Sequence, residues 1–507
     1  MIENNSEILP RDISNRPTMF SNSLEDSEKR ASNTNNSQQK ELPDSIANEE
    51  NNDISEPLKN NISDKRSLSL RKKKWKKYLI VLILLFTVII IIIIGLIIYF
   101  ATKESDKEEI IKKANTLKLV YYTEEEGVEI SLFSPKIISH ISSINIDGKE
   151  KEDINNYYIF DIIGEHVVNI KLKSNLESLS EMFKYNSYLI QADFSDIITK
   201  NINDTSQMFY KCNNLISINL ANADCPSLLN ISNMFNGCSS LTSLKLSLSD
   251  TKNLKDMSNL FDDCYNLENV YLSELNTENV EDMKNMFSSC ISIKYLNLGN
   301  FKTSKVIDMS KMFNKCYSIK SLDISNFITS QVTSMESMFN LCTSLENLNL
   351  AKFDTSKVTD MSSMFSYCQS MKSLKIGGFS TSLVNNMNNM FNGCANLNEI
   401  NLNSFDTKKV KLMGMMFYGC QSLTLLNISN FNTPKVENIG GIFGKCKKLT
   451  TIDIRNFESN NLIVKNNLLI DEIPLEGTIY YNSKIFNSSL LDYKTIKDWK
   501  KIDVSNK

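Results

Sequence analysis

Ten cysteines stand in one register: Cys212, Cys238, Cys264, Cys290, Cys316, Cys342, Cys368, Cys394, Cys420 and Cys446. Each step is 26 residues, with no insertion. Sulfur repeated in this way is open to three chemistries. Neighbouring thiols could bridge, because stacked coils bring their Cα atoms within the disulfide range. Thiolates could hold zinc or a cluster. Or the thiols could fill a narrow apolar slot as small buried hydrophobes. The third is the simplest, since the slot adjoins Phe and Leu and the even spacing lacks the Cys-x-x-Cys pairs of metal sites. Some bridging stays open. Cys225 is out of register, halfway round the period from Cys212. It is either a buried loop residue or an exposed thiol able to pair two chains.

Other reactive groups are sparse. The only histidines are His140 and His166, with no Cys, Asp or Glu at ligand spacing around them. No nucleophile elbow, phosphate loop or paired-acid motif occurs. The expectation is therefore no enzyme, no metal and no cofactor. Net charge is -3, spread over mixed signs, which argues against a nucleic-acid partner.

The elements that hold these residues follow from the period. A fixed repeat of 20–50 residues means stacked coils. A Met-Phe pair such as Met364-Phe365 marks most coils, Leu260-Phe261 and Ile442-Phe443 being the variants. In the coil of Cys342, Leu345-x-x-Leu348-x-Leu350 reads as a short strand with leucines inward. Phe353 turns the chain, and Thr355 or Ser356 is placed to cap a helix. Val358, Met361, Met364, Phe365 and Cys368 then fall at helical spacing. The fold class expected is an α/β repeat solenoid of leucine-rich-repeat type, one short strand plus one short helix or helical turn per coil. It carries β caps, a disordered N-terminal tail and one transmembrane helix. Eleven repeats over 177–457, at about 4.8 Å per coil, would run roughly 50 Å.

The flanks are read in order. Residues 1–64 are polar and poor in aromatics, a disordered cytosolic tail. Residues 65–77 form a basic juxtamembrane block, Lys65-Arg66 through Lys76-Lys77. Residues 78–100 are apolar without a charge, long enough for a transmembrane helix of about 20 residues. The basic N-terminal flank puts the tail in the cytosol and the C-terminal part outside or in a lumen, as a single-pass signal anchor, most simply at the cell surface. Residues 101–116 form a stalk, 117–176 a β cap module with Asp147-Gly148 as a turn, and 458–507 a C-terminal cap in which Trp499 packs.

At this point the pattern Phe-x-Thr-Ser-x-Val-x-x-Met-x-x-Met-Phe-x-x-Cys-x-x-Leu-x-x-Leu-x-Leu, carried nearly in full from Phe353 to Ile376, resembles the BspA-type leucine-rich-repeat surface proteins of bacteria and protists. The match spans 177–457, and Met371 stands in one Leu slot. The resemblance implies surface display and binding, in some members adhesion. The uncleaved N-terminal span departs from the lipoprotein signals and C-terminal anchors of that family.

Binding candidates lie between the leucines, on the outward side of the strands. They are Tyr271, Tyr295, Asn297, Asp323, Asn347, Asn349, Lys375 and Asn401. Exposed Tyr is enriched at interfaces. N-glycan acceptor motifs outside the membrane begin at Asn203, Asn230, Asn427 and Asn487. The function expected is a membrane-anchored surface protein binding protein or glycan partners on another surface. The alternatives are a non-adhesive surface or organelle coat and an intracellular scaffold, the latter suited to free thiols.

Overall fold

The computed structural model describes residues 85, 87, 89–97, 99, 115–174, 176–221, 223–463, 472–491 and 498–505. The expected tail (1–64), the basic block (65–77) and stalk residues 101–114 lie outside the described residues. The chain divides into two compact units, Met1–Gly95 and Leu96–Lys507. In the first, Leu85, Thr87 and residues 89–95 are helical and exposed. Leu96, Ile97 and Tyr99 of the second are helical and exposed as well. Among the described residues no helix is long and apolar enough to cross a membrane. The rest of the span expected over 78–100 lies outside them.

The period-2 runs of the cap form strands, because alternate residues bury. Strand Thr116–Thr123 places Leu117, Leu119 and Tyr121 inward and pairs antiparallel with Gly164–Leu172. On its other edge it pairs with Leu189–Asp193, the first solenoid strand, which in turn runs parallel to Ser217–Asn219. The cap sheet thus continues into the solenoid. Asp147-Gly148 forms the expected turn, both residues at positive φ (50° and 81°). A polar staple supplements this join. Lys136, in the short 3-10 helix Pro135–His140, and Lys184 both donate to the carboxylate of Glu181. They hold that carboxyl down at about 2, hydrogen bonding from Lys136 leading.

Several coils begin with the expected strand, but residues 295–297 and 399–401 form none, and Ser321 makes only an isolated bridge. The residues flanking an inward apolar side chain form three-residue strands such as Asn269–Tyr271, Asn347–Asn349 and Ser373–Lys375. These pair in short parallel pieces rather than one unbroken sheet. The continuous ladder lies halfway round the coil. Parallel bridges link Ser178, Asp204, Asn230, Asp256, Asp282, Asp308, Ser334, Asp360, Asn386, Leu412 and Asn438 without a gap, giving about eleven coils.

The helix expected over Val358–Cys368 is not formed; the segment is a run of β-turns. Ser363 and Tyr367 adopt positive φ (55° and 57°), which no right-handed helix tolerates. Backbone N–H groups then alternate in direction. Those of Met364, Ser366 and Cys368 close turns onto Met361, Ser363 and Phe365 within the coil. Those of Met361, Ser363 and Phe365 reach Asn386, Asn388 and Met390 in the next coil at 2.8–3.1 Å. Ser362 N is met by the Asp360 carboxylate at 2.8 Å, so the turn run keeps its amides paired largely without a helix. The two left-handed positions recur through the solenoid, filled by Gly at Gly237, Gly393, Gly419 and Gly441. Thr355 is not an N-cap. It is buried, and its hydroxyl accepts from Ser380 N and donates to Ser380 O, both at 2.8 Å. Buried threonines from Thr251 to Thr433 repeat this clamp between coils.

Between strand and turns lies a columnar core. Phe rings from Phe183 to Phe443 stack with centroids 5.4–6.2 Å apart. A second stack runs from Phe379 to Phe457 at 6.1–6.5 Å. Burying one such ring contributes about 1.5–3 kcal/mol. At the C-terminal end, Thr478–Tyr481 and Lys500–Asp503 extend the parallel pair Leu425–Asn427 and Thr451–Asp453. Trp499 packs there as expected, donating to Pro474 O at 2.9 Å. Its ring lies against Gly477, where a Cβ would sit 2.6 Å from it.

Candidate functional site

Strand alternation sets the site. With Leu348 and Leu374 inward, their neighbours must face outward. Tyr271, Asn347, Asn349 and Lys375 lie in such strands, whereas Tyr295, Asn297, Asp323 and Asn401 hold the same repeat positions outside any strand; all eight are exposed. Tyr271 is 60% and Tyr295 75% exposed, in adjoining coils. The face is open only from the later coils onward. In the first coil the equivalent residues Gln191 and Asp193 are buried.

The second outward column has a structural duty that sequence reading missed. The side-chain oxygen of Asn297 accepts from Gly299 N at 3.1 Å, Asp323 from Ser325 N at 3.0 Å, Asn349 from Ala351 N at 3.2 Å and Asn401 from Asn403 N at 3.1 Å. Each is an Asx turn that steers the chain out of the strand. The bond from Ser325 N holds the Asp323 carboxyl below its ordinary range. The recurrence of Asn or Asp at one repeat position was the available signal. Lys245, Tyr271 and Lys375 depart from it. Lys245 pairs with Glu274 at 3.3 Å instead.

The cysteine ladder resolves as free thiols. All eleven cysteines are free and buried, Cys225 included. Each ladder thiol donates to the carbonyl of a Phe in the preceding coil, from Cys212 to Phe183 O at 3.0 Å through Cys446 to Phe417 O at 3.1 Å. Burial pushes the thiols of Cys212, Cys394 and Cys446 up to about 12 and that of Cys225 up to about 11. Such thiols are poor nucleophiles and poor ligands. Among the described residues no group of His, Cys, Asp and Glu could hold a metal ion.

Four matches to a repeat family cover residues 177–295, 229–346, 281–375 and 368–472. The family is described as "Mycoplasma protein of unknown function, DUF285". The chain belongs to this family. Its match spans more than half of the chain and coincides with the coils just described. Among solved structures, the chain is similar to "Functional domain of InlJ from Listeria monocytogenes includes a cysteine ladder". That likeness is at 12% identity and a TM-score of 0.15, over 58% of this chain and 74% of that one. No curated protein matches.

Outside the DUF285 repeats, the cap assembles a polar cluster that sequence spacing did not reveal. His166 is buried, with Nδ1 2.9 Å from Asp147 Oδ2 and Nε2 2.8 Å from Ile162 O and 3.3 Å from Thr123 Oγ1. Its ring stacks on Phe160 at 4.0 Å. The Thr–His–Asp order resembles a nucleophile relay, but Thr123 is fully buried and donates to Ile162 O. The cluster closes the Asp147-Gly148 turn, since Asp147 also accepts from Val167 N at 2.8 Å. Of the glycan motifs, Asn427 and Asn487 are exposed, whereas Asn203 and Asn230 are half-buried.

Proposed function

We propose that this chain is a membrane-anchored surface protein whose solenoid recognises protein or glycan partners on another surface through its strand face. The observation that carries this reading is the pair Tyr271 and Tyr295. Both rings stand in water, and Tyr271 replaces the Asx residue that most coils use there. Large exposed rings beside amide side chains suit recognition rather than folding. The resemblance of Phe353–Ile376 to BspA-type repeats supports surface display. The basic block 65–77 before the apolar run 78–100 supports one span with a cytosolic N-terminus. In this reading the chain has no catalytic role, cofactor or nucleic-acid partner.

A second reading is favoured by one observation. Eleven free thiols suit a reducing compartment, so an intracellular scaffold of opposite topology competes. Antibody access on intact cells separates the two. An epitope inserted after Lys507 is expected to be reached without permeabilisation, and one before Met1 only after it. The reverse pattern overturns the surface reading.

A further inference from the structure

We propose that the strand face between Asn269 and Lys375 binds a linear, uncharged glycan laid along the solenoid axis, with Tyr271 and Tyr295 as its stacking platform. This rests on the strand-face reading above and commits it to one ligand chemistry.

The first ground is the departure of Tyr271 from its column. An Asx turn contributes about 1 kcal/mol, the net worth of a hydrogen bond. Tyr271 forgoes it and obtains no ring or cation partner among the described residues. Tyr295, one coil on, is likewise without such a partner and is 75% exposed. Stability does not explain either ring.

The second ground is the polar complement. Because the Asx turns use the side-chain oxygens of Asn297 and Asn349, their amide N–H groups are left as outward donors. Asn269, Ser321, Asn347 and Ser373 both donate and accept and are exposed. Hydroxyls of a sugar need such mixed partners, while its C–H face needs an aromatic ring.

The third ground is charge. Across the two outward columns from Asn269 to Lys375 there is one carboxylate, Asp323, and one ammonium, Lys375. In the flanking column Glu346 pairs with Lys372 at 2.8 Å, and Glu268 stands against Lys294 and Lys320, which leaves one ammonium in excess. Five coils thus carry a net charge of about one, too little to select an anionic chain over a neutral one. A protein partner is disfavoured, since the centre of a protein interface is apolar and this face offers only two rings.

The final ground is direction. Candidate groups repeat once per coil, at a spacing of about 4.8 Å. A chain of sugar rings along the axis would meet an equivalent row of groups at each step.

The test uses the full-length protein in detergent micelles, titrated with cellotetraose, chitotetraose and mannotetraose, and with a heparin tetrasaccharide as the anionic comparison. At least one neutral probe is expected to bind. Tyr271→Ala/Tyr295→Ala is expected to weaken it about 10-fold or more, from two ring contacts. Tyr271→Phe/Tyr295→Phe is expected to keep most of the affinity, because stacking does not need the hydroxyl. Unchanged burial of the ladder thiols in both variants confirms that the coils are intact. Failure of all three neutral probes, binding that survives the alanine pair, or preference for heparin each overturns the proposal. If the probes fail while a photo-crosslinker at Tyr295 captures a protein on intact cells, the glycan is wrong and surface recognition stands. If epitope access places the solenoid in the cytosol, the surface reading falls, whatever the tetrasaccharides do.

Discussion

At the residue scale the cysteine ladder is a packing device. A thiol is small enough for the slot between Phe columns and carries one weak donor. That donor has a partner in the previous coil at every step, as in Cys342 to Phe313 O at 3.1 Å. The ladder therefore ties coils together without oxidation. Burial holds the thiols protonated, with Cys394 pushed up to about 12. In mildly alkaline buffer the native protein is expected to leave all eleven thiols unreacted toward a thiol reagent. After denaturation without reductant, all eleven should titrate. A shortfall recovered only by reductant would show bridges and sink the free-thiol ladder.

At the element scale the decisive unit is the turn run opposite the strand. Its apolar spacing matches a helix, because Met361, Met364, Phe365 and Cys368 all point inward in either conformation. What separates them is the left-handed residue, and substitution there has opposite signs in the two cases. Ser363→Gly would cost about 1 kcal/mol inside a helix. At φ 55° it is expected to be neutral or to stabilise by up to about 1 kcal/mol, because a Cβ is unfavourable there. Gly393→Ala is expected to destabilise by about 1–3 kcal/mol. Its φ is 74°, and a new Cβ would lie 2.8 Å from the Tyr367 ring. Thermal unfolding of the two variants reads the signs directly. A marked loss of stability in Ser363→Gly would restore the helix.

At the scale of the whole solenoid, stability is a sum of like coils and like interfaces. Most internal coils offer the same Phe, Met, Cys and Thr to their neighbours, so in the middle of the stack one coil is replaceable by the next. Deleting residues 343–368, one full period, keeps every column in register. That variant is expected to fold, with a denaturant slope lower by about one coil's share of exposed surface. Deleting 343–355, half a period, sets strands against turns and is expected to abolish cooperative unfolding. Equal behaviour of the two deletions in denaturant melts would contradict a register-locked stack. The ends differ from the interior. The Lys136–Glu181–Lys184 staple and the packing of Trp499 on Gly477 serve single sites, and neither belongs to the repeat.

The period of the cysteines, the inward columns and the outward placement of Tyr271 and Tyr295 were legible in the chain alone. Each follows from side-chain type at fixed spacing, which any stacked coil must honour. The conformation between Val358 and Cys368 was not, because inward spacing is shared by a helix and a turn run. Only the next coil decides it, by accepting every second amide. The same holds for Asn297 and Asp323, which as isolated residues read as free polar groups. Tertiary structure commits them to turns, and thereby singles out Tyr271, the residue that leaves the pattern. Asp147 and His166 meet only because two cap strands pair. The ladder thiols, alike in sequence to disulfide or metal ligands, are decided by the Phe carbonyl that each one finds in the coil before it.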